Sequence, residues 1–141
     1  MAVFFHVEDI KFVYKEKRKS KKWIKDIINS RGFQLGNLNI VFSSKAHLLK
    51  FNQEYLNHNY HTDVITFDYS TEKVISGDIF IGVEKVLENS KTLGESFHVE
   101  LNRVIIHGVL HLLGYDDNID SKRRIMRKME DEALNLWNIT D

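Results

Sequence analysis

The sequence predicts one α+β domain over residues 1–141, with about four short strands in a mixed sheet and about five helices. Three observations carry that expectation. Short runs rich in β-branched and aromatic residues interleave with stretches whose apolar residues recur every three to four positions. Gly and Ser stand at the ends of those stretches, where caps and turns need them. No repeat, low-complexity segment or shift of composition divides the 141 residues, a length that supports one real core.

The elements follow in order. Val3–Val7 reads as a strand. A basic run, Lys15 to Lys22, leads into Trp23, Ile24, Ile27 and Ile28 at helical spacing, with Gly32 as the stop. Leu38–Phe42 is a strand. Ser44 is placed to cap a helix through Leu48, Leu49, Phe51, Asn52 and Tyr55. Val64–Tyr69 and Gly77–Ile81 are strands. Val83, Val86, Leu87 and Ser90 mark a helix closed near Gly94, and Ser96 caps the long helix that follows. A last helix begins at Asp120 or Ser121 and carries Ile125, Met126, Met129, Ala133, Leu136 and Trp137 on its apolar side.

Composition excludes several classes. Apolar residues make up 43% and charged residues 28%, as in ordinary globular proteins. The formal net charge is zero, so any nucleic-acid affinity must come from local patches. There is no cysteine, which excludes disulfides and Cys-ligated zinc and leaves His and carboxylates as metal ligands. No apolar run is long enough to span a bilayer, and Met1–Glu8 lacks the layout of a secretion signal. The expected location is cytoplasmic, with no membrane partner.

The chemistry concentrates in His107-Gly108-Val109-Leu110-His111-Leu112-Leu113-Gly114-Tyr115-Asp116-Asp117. Two histidines four apart on a helix lie on one face, about 6 Å apart along the axis. The surrounding Val104, Ile105, Ile106, Val109, Leu110, Leu112 and Leu113 require the helix to be buried. Buried imidazoles need partners, and a metal ion is one. Gly114 can take the left-handed backbone that ends a helix, which swings Asp116 and Asp117 back toward the imidazoles. Two His and a carboxylate, with one position left for water, make the layout of a catalytic zinc site.

This segment resembles the YbeY family of bacterial RNA-processing metalloproteins, whose helix reads H-G-x-L-H-L-x-G-Y-D-H. The chain matches through Asp116 and carries Asp117 where the family usually has a third His. Phe51-Asn52 with Tyr55 resembles the family's L-N-x-x-Y. Thr62-Asp63-Val64-Ile65-Thr66-Phe67 resembles its T-D-V-L-S-F, and Gly77-Asp78-Ile79 with Ile81 its G-D-I-x-I. Order and spacing agree over residues 35–135. Two further departures are Leu56, where the family has an Arg thought to serve the phosphate, and His61, where it has Pro. His58 and His61 are near enough in sequence to replace that Arg.

The resemblance implies a zincin-like metal helix, a cleft between sheet and helices walled by Thr62–Phe67, and one Zn2+ ion on His107, His111 and Asp117. It implies a zinc-dependent, single-strand-specific endoribonuclease of ribosomal RNA maturation and ribosome quality control. Its partners would be single-stranded ribosomal RNA and the ribosome or its small subunit. Zinc lowers the pKa of bound water from about 15.7 to about 7 and polarises a phosphoryl oxygen, and phosphodiester hydrolysis needs both. Two rivals stand beside this reading: an assembly factor whose metal is structural, and a metallohydrolase of another substrate such as a peptide. The peptidase is weakened by Gly108, because H-E-x-x-H enzymes carry their Glu base at that position.

The remaining polar residues take humbler roles. Glu100 is expected to be a solvated helix-start charge rather than a partner orienting an imidazole. Asp116 is expected to cap the turn, and Asp63 and Asp78 to be turn or cap residues. No general base is assigned. The clusters Lys15 to Lys25 and Lys122-Arg123-Arg124 with Arg127 and Lys128 read singly as solvated helix faces, and together as phosphate contacts whose affinity falls with salt. Tyr60, Phe67 and Tyr69 could stack on unpaired bases, with Phe67 the best suited of them to a core.

Overall fold

A computed structural model describes residues 1–56 and 62–141. Its elements are β1 (Val3–Glu8), α1 (Lys17–Ser30), β2 (Gln34–Ser43), α2 (Lys45–Tyr55), β3 (Val64–Asp68), β4 (Val74–Gly82), α3 (Val83–Leu93), α4 (Phe97–Leu112) and α5 (Asp120–Ile139). The described residues thus form the expected four strands and five helices. The sheet order is β1-β2-β4-β3. β1, β2 and β4 run parallel, and β3 pairs antiparallel with β4 at the edge.

Two strands begin earlier than their alternation suggests. β2 starts at Gln34 and β4 at Val74, because Gln34 and Leu35 pair with Val74 and Ile75 before a register shift between Leu35 and Leu38. The irregularity breaks the period-2 pattern, so the paired extension does not show in the sequence.

One face of the sheet carries Leu38, Ile40, Phe42, Ile79 and Ile81, all fully buried. α4 lies against that face over β3 and β4, flanked by α3 and α5. The Trp23 indole donates to the Ala133 carbonyl at 2.7 Å and ties α1 to α5. α2 covers part of the opposite face through Phe51, whose ring lies 4.8 Å from that of Phe80.

Both predicted serine caps form. The Ser44 and Ser96 hydroxyls accept from the His47 and Val99 amides, at 3.0 and 3.2 Å. α4 ends in a Schellman turn: Gly114 has φ of 101°, its amide donates to the His111 carbonyl, and the Tyr115 amide donates to that of Leu110.

Gly108 sits where α4 presses onto the sheet. A Cβ there would lie 2.8 Å from Ile79 Cγ2 and 3.3 Å from Thr66 Cγ2. Gly108→Ala is therefore expected to cost about 1–3 kcal/mol by overpacking. Denaturant unfolding checks it, and a variant as stable as the parent would mean that the helix can shift outward.

Candidate metal centre

α4 delivers both histidines to one face, and the turn at Gly114 returns the chain so that Asp117 meets them. His107 Nε2 and His111 Nε2 are 3.0 Å apart. Asp117 places Oδ2 3.2 Å from His107 Nε2 and Oδ1 3.6 Å from His111 Nε2. Tetrahedral bonds of about 2.0–2.1 Å set ligand atoms roughly 3.3 Å apart, which these three separations bracket. The imidazole rings are steeply inclined, at 79°, and the close approach of their Nε2 atoms directs both toward one point. The three side chains are partly exposed, which leaves a side open to water or substrate. With one atom from each residue, the two nitrogens and an Asp117 oxygen all lie within 4.8 Å of one another and could hold a divalent ion.

A fourth residue orients the centre. Glu130 of α5 places Oε2 2.6 Å from His107 Nδ1. A carboxylate only accepts, so Nδ1 carries the proton and donates. Nε2 is left as a lone pair facing the cluster. Glu130 Oε1 also accepts from Arg103 at 3.0 Å, and Arg103 in turn donates to Asp131 at 2.7 Å. Burial alone would depress the His107 pKa. The hydrogen bond and charge of Glu130, joined by the charges of Asp117 and Asp63, overturn that and raise it. Burial depresses His111, and the charge of His107 lowers it further.

Sequence reasoning missed Glu130, although a signal existed. It stands between Met129 and Ala133 on the buried side of α5, where a carboxylate is admissible only with a partner.

Glu100 corrects an expectation. It is not a solvated helix-start charge; it is 5% exposed, because the first turn of α4 is covered by neighbouring elements. Oε1 has no hydrogen-bond partner among the described residues. Nor does Glu100 orient an imidazole, since Glu130 holds His107. Burial, reinforced by the charge of Asp63, raises its pKa. An acid with a raised folded pKa costs stability above its titration range and nothing below it. Glu100→Gln is therefore expected to stabilise the protein by about 1 kcal/mol at neutral pH. The gain should vanish as pH falls below the ordinary carboxylate range, and a pH series of melting temperatures tests both statements.

Asp116 stays outside the cluster, exposed, with Lys122 3.9 Å away. Asp78 points to the other face of the sheet, where the Asn39 amide donates to it at 3.1 Å. Asp63 is half-buried beside the centre and accepts from Asn89 at 3.1 Å. Burial raises its pKa and the charge of His107 opposes that rise. Phe67 packs against Phe51, Tyr55 and Phe80 on the α2 side of the sheet, where it is only partly buried and lies outside the main core, whereas Tyr69 is exposed. His58, Tyr60 and His61 lie outside the described residues.

Two clefts meet at the centre. One, of about 550 Å³, runs between α4 and α5. The other, of about 460 Å³, runs between β3 and the end of α2 and includes Leu56, Val64 and Thr66. Asp63, Val64, His107 and Asp117 line both, so the edge strand β3 is a wall, as expected. Arg123, Arg124 and Arg127 of the second basic cluster line the first cleft. No lysine of the first cluster lines either.

The model of one protein family, described as Endoribonuclease YbeY, matches residues 5–138. A protein of that name from Bacteroides thetaiotaomicron is 41% identical over 134 residues, covering 95% of this chain and 98% of its own. One from Flavobacterium psychrophilum is 43% identical over 131 residues, covering 93% and 94%. The solution structure of TM1509 from Thermotoga maritima is similar with a TM-score of 0.65 and 25% identity, over 96% of this chain and 91% of that one.

Proposed function

The chain belongs to the Endoribonuclease YbeY family, and from that premise we propose a zinc-dependent endoribonuclease that cuts single-stranded ribosomal RNA during ribosome maturation. The observation that carries the chemistry is the convergence of His107, His111 and Asp117 at 3.0, 3.2 and 3.6 Å. These residues hold one Zn2+ ion, and residues 1–141 act as one metallohydrolase domain. An ion held there supplies an acidified water and an electrophile for a phosphoryl oxygen. Glu130 keeps His107 in the ligating tautomer. The edge strand β3 and the open sides of the centre admit an extended strand, which suits single-stranded substrate.

On this reading the protein acts in the cytoplasm, with the ribosome or its small subunit as partner. Among the described residues no helix is long and apolar enough to cross a membrane. A peptidase of the H-E-x-x-H kind is disfavoured by packing. Position 108 faces Ile79, so a Glu there would be driven into the sheet rather than toward the centre.

The test is cleavage of a single-stranded and a hairpin RNA by purified protein, with chelator and then with zinc restored. Cleavage of the single strand that chelator abolishes and zinc restores supports the reading. Binding without cleavage, with stability lost on chelation, gives the place to an assembly factor with a structural metal. Asp117→His is expected to keep its metal, since imidazole replaces carboxylate as a ligand. A metal-free Asp117→His protein would remove position 117 from the ligand set.

A further inference from the structure

The two clefts that meet at the metal centre differ in charge. In the cleft beyond β3, the described lining residues include no Lys or Arg, and Leu56 occupies its α2 side. The cleft between α4 and α5 is lined by Arg103, Arg123, Arg124 and Arg127. A strand crossing the centre would meet fixed positive charge on one side only.

The four arginines are not equivalent. Arg103 is partly buried and occupied by Glu130 and Asp131. Arg123 is held against the Asp120 carboxylate and the Asp117 carbonyl, where it braces the turn that carries a metal ligand. Arg124 and Arg127 are exposed at the mouth of the cleft. Arg127 stands at the limit of an ion pair with Glu130, at 4.0 Å. Positions 120, 123, 124, 127 and 130 recur at helical spacing, so these guanidinium groups rise from one side of α5 toward α4.

The acids of this cleft do not cancel them. Glu130 serves Arg103 and His107, Asp120 serves Arg123, and Asp117 faces the histidines. Asp63 accepts from Asn89, and Glu100 is buried. Two guanidinium groups remain, with the fork geometry that matches phosphate oxygens.

Resting on the nuclease reading above, we infer that the α4–α5 cleft is a phosphate subsite in which Arg124 and Arg127 bind the RNA backbone on one side of the cut. The strand's other side lies in the cleft beyond β3, whose described lining offers no Lys or Arg to a phosphate. The salt dependence of RNA binding therefore originates mainly on α5.

The experiment compares the intact chain, the Arg124→Gln/Arg127→Gln variant, and a Lys21→Gln/Lys22→Gln control on α1. Both pairs are exposed helix positions, and glutamine keeps helix propensity. The probe is a short single-stranded 2′-O-methyl oligonucleotide, which removes attack by the 2′-hydroxyl, and its integrity is checked after each titration because water at the metal could still cut it. Affinity is read over a salt series with zinc-loaded protein. Each lost phosphate contact removes about 0.7 from the slope of log K against log salt, so the α5 variant should lose roughly 1.4 and the α1 control almost nothing. Cleavage of ordinary RNA by the α5 variant should show a raised KM with kcat little changed. Equal slopes in the intact chain and the α5 variant overturn the subsite. So does an equal loss in both variants, which would reveal only diffuse attraction. If the intact chain cuts no RNA and the slope difference persists, the nuclease reading fails while the subsite stands.

Discussion

Replacing His111 by alanine is expected to strip zinc from the protein and to lower cleavage of single-stranded RNA by more than about 100-fold. Loss of a partner one step removed from a metal already costs about 10- to 100-fold in affinity or activity. Removal of a ligand itself, one of three protein atoms that meet within 4.8 Å, must cost more. The fold should survive. His111 is a quarter exposed, and among the described residues its imidazole makes no bond that spans distant elements other than to the cluster itself. In the metal-free protein its removal takes away a crowded nitrogen 3.0 Å from His107. Zinc stoichiometry by elemental analysis and cleavage by the same preparation are measured together. Full zinc occupancy in the variant would refute the ligand set. Zinc loss with undiminished cleavage would separate the metal from the reaction.

Glu130→Gln is expected to have the second-largest effect. The amide keeps the volume and loses the charge that fixes His107 Nδ1–H and answers Arg103. Zinc affinity should fall about 10- to 100-fold, the usual cost of removing a carboxylate behind a ligating histidine. In the metal-free protein the His107 pKa, raised by Glu130, should drop, because burial, the largest opposing influence, remains. The raised imidazole pKa contributes stability below the ordinary histidine range, and that contribution fades as pH rises through the folded value. The variant should therefore lose stability at mildly acidic pH and little at alkaline pH. Glu130→Ala additionally leaves Arg103, 12% exposed, with Asp131 alone, at a cost of about 2 kcal/mol. Titration of His107 by NMR and zinc competition by a chelating dye decide the matter. An unmoved His107 pKa would show that the 2.6 Å contact does not form in solution.

What the sequence reveals is what is local. The two histidines, Gly114 and Asp117 lie within eleven residues. Helix periodicity and a left-handed glycine suffice to bring them together, so the candidate centre can be read from the chain. The serine caps at 44 and 96 are local in the same sense. Element boundaries are less legible where pairing overrides pattern, as in the first residues of β2 and β4.

The residues that complete the centre are not local. Glu130 follows His107 by 23 positions and reaches it only because α4 and α5 pack side by side. The burial of Glu100 depends on the same packing, and local rules for helix starts point the other way. Neither does any motif show which basic cluster faces the clefts, since charge runs look alike until helices are docked. The sequence by itself determined the elements, the candidate metal cluster of His107, His111 and Asp117, and the family, because each rests on spacing along one stretch of chain. The tertiary structure alone decided which carboxylate orients His107, which acid is buried with an oxygen unpartnered among the described residues, and which arginines line the cleft beside the centre. Each of those depends on distances between elements, which are set by the docking of whole hydrophobic faces.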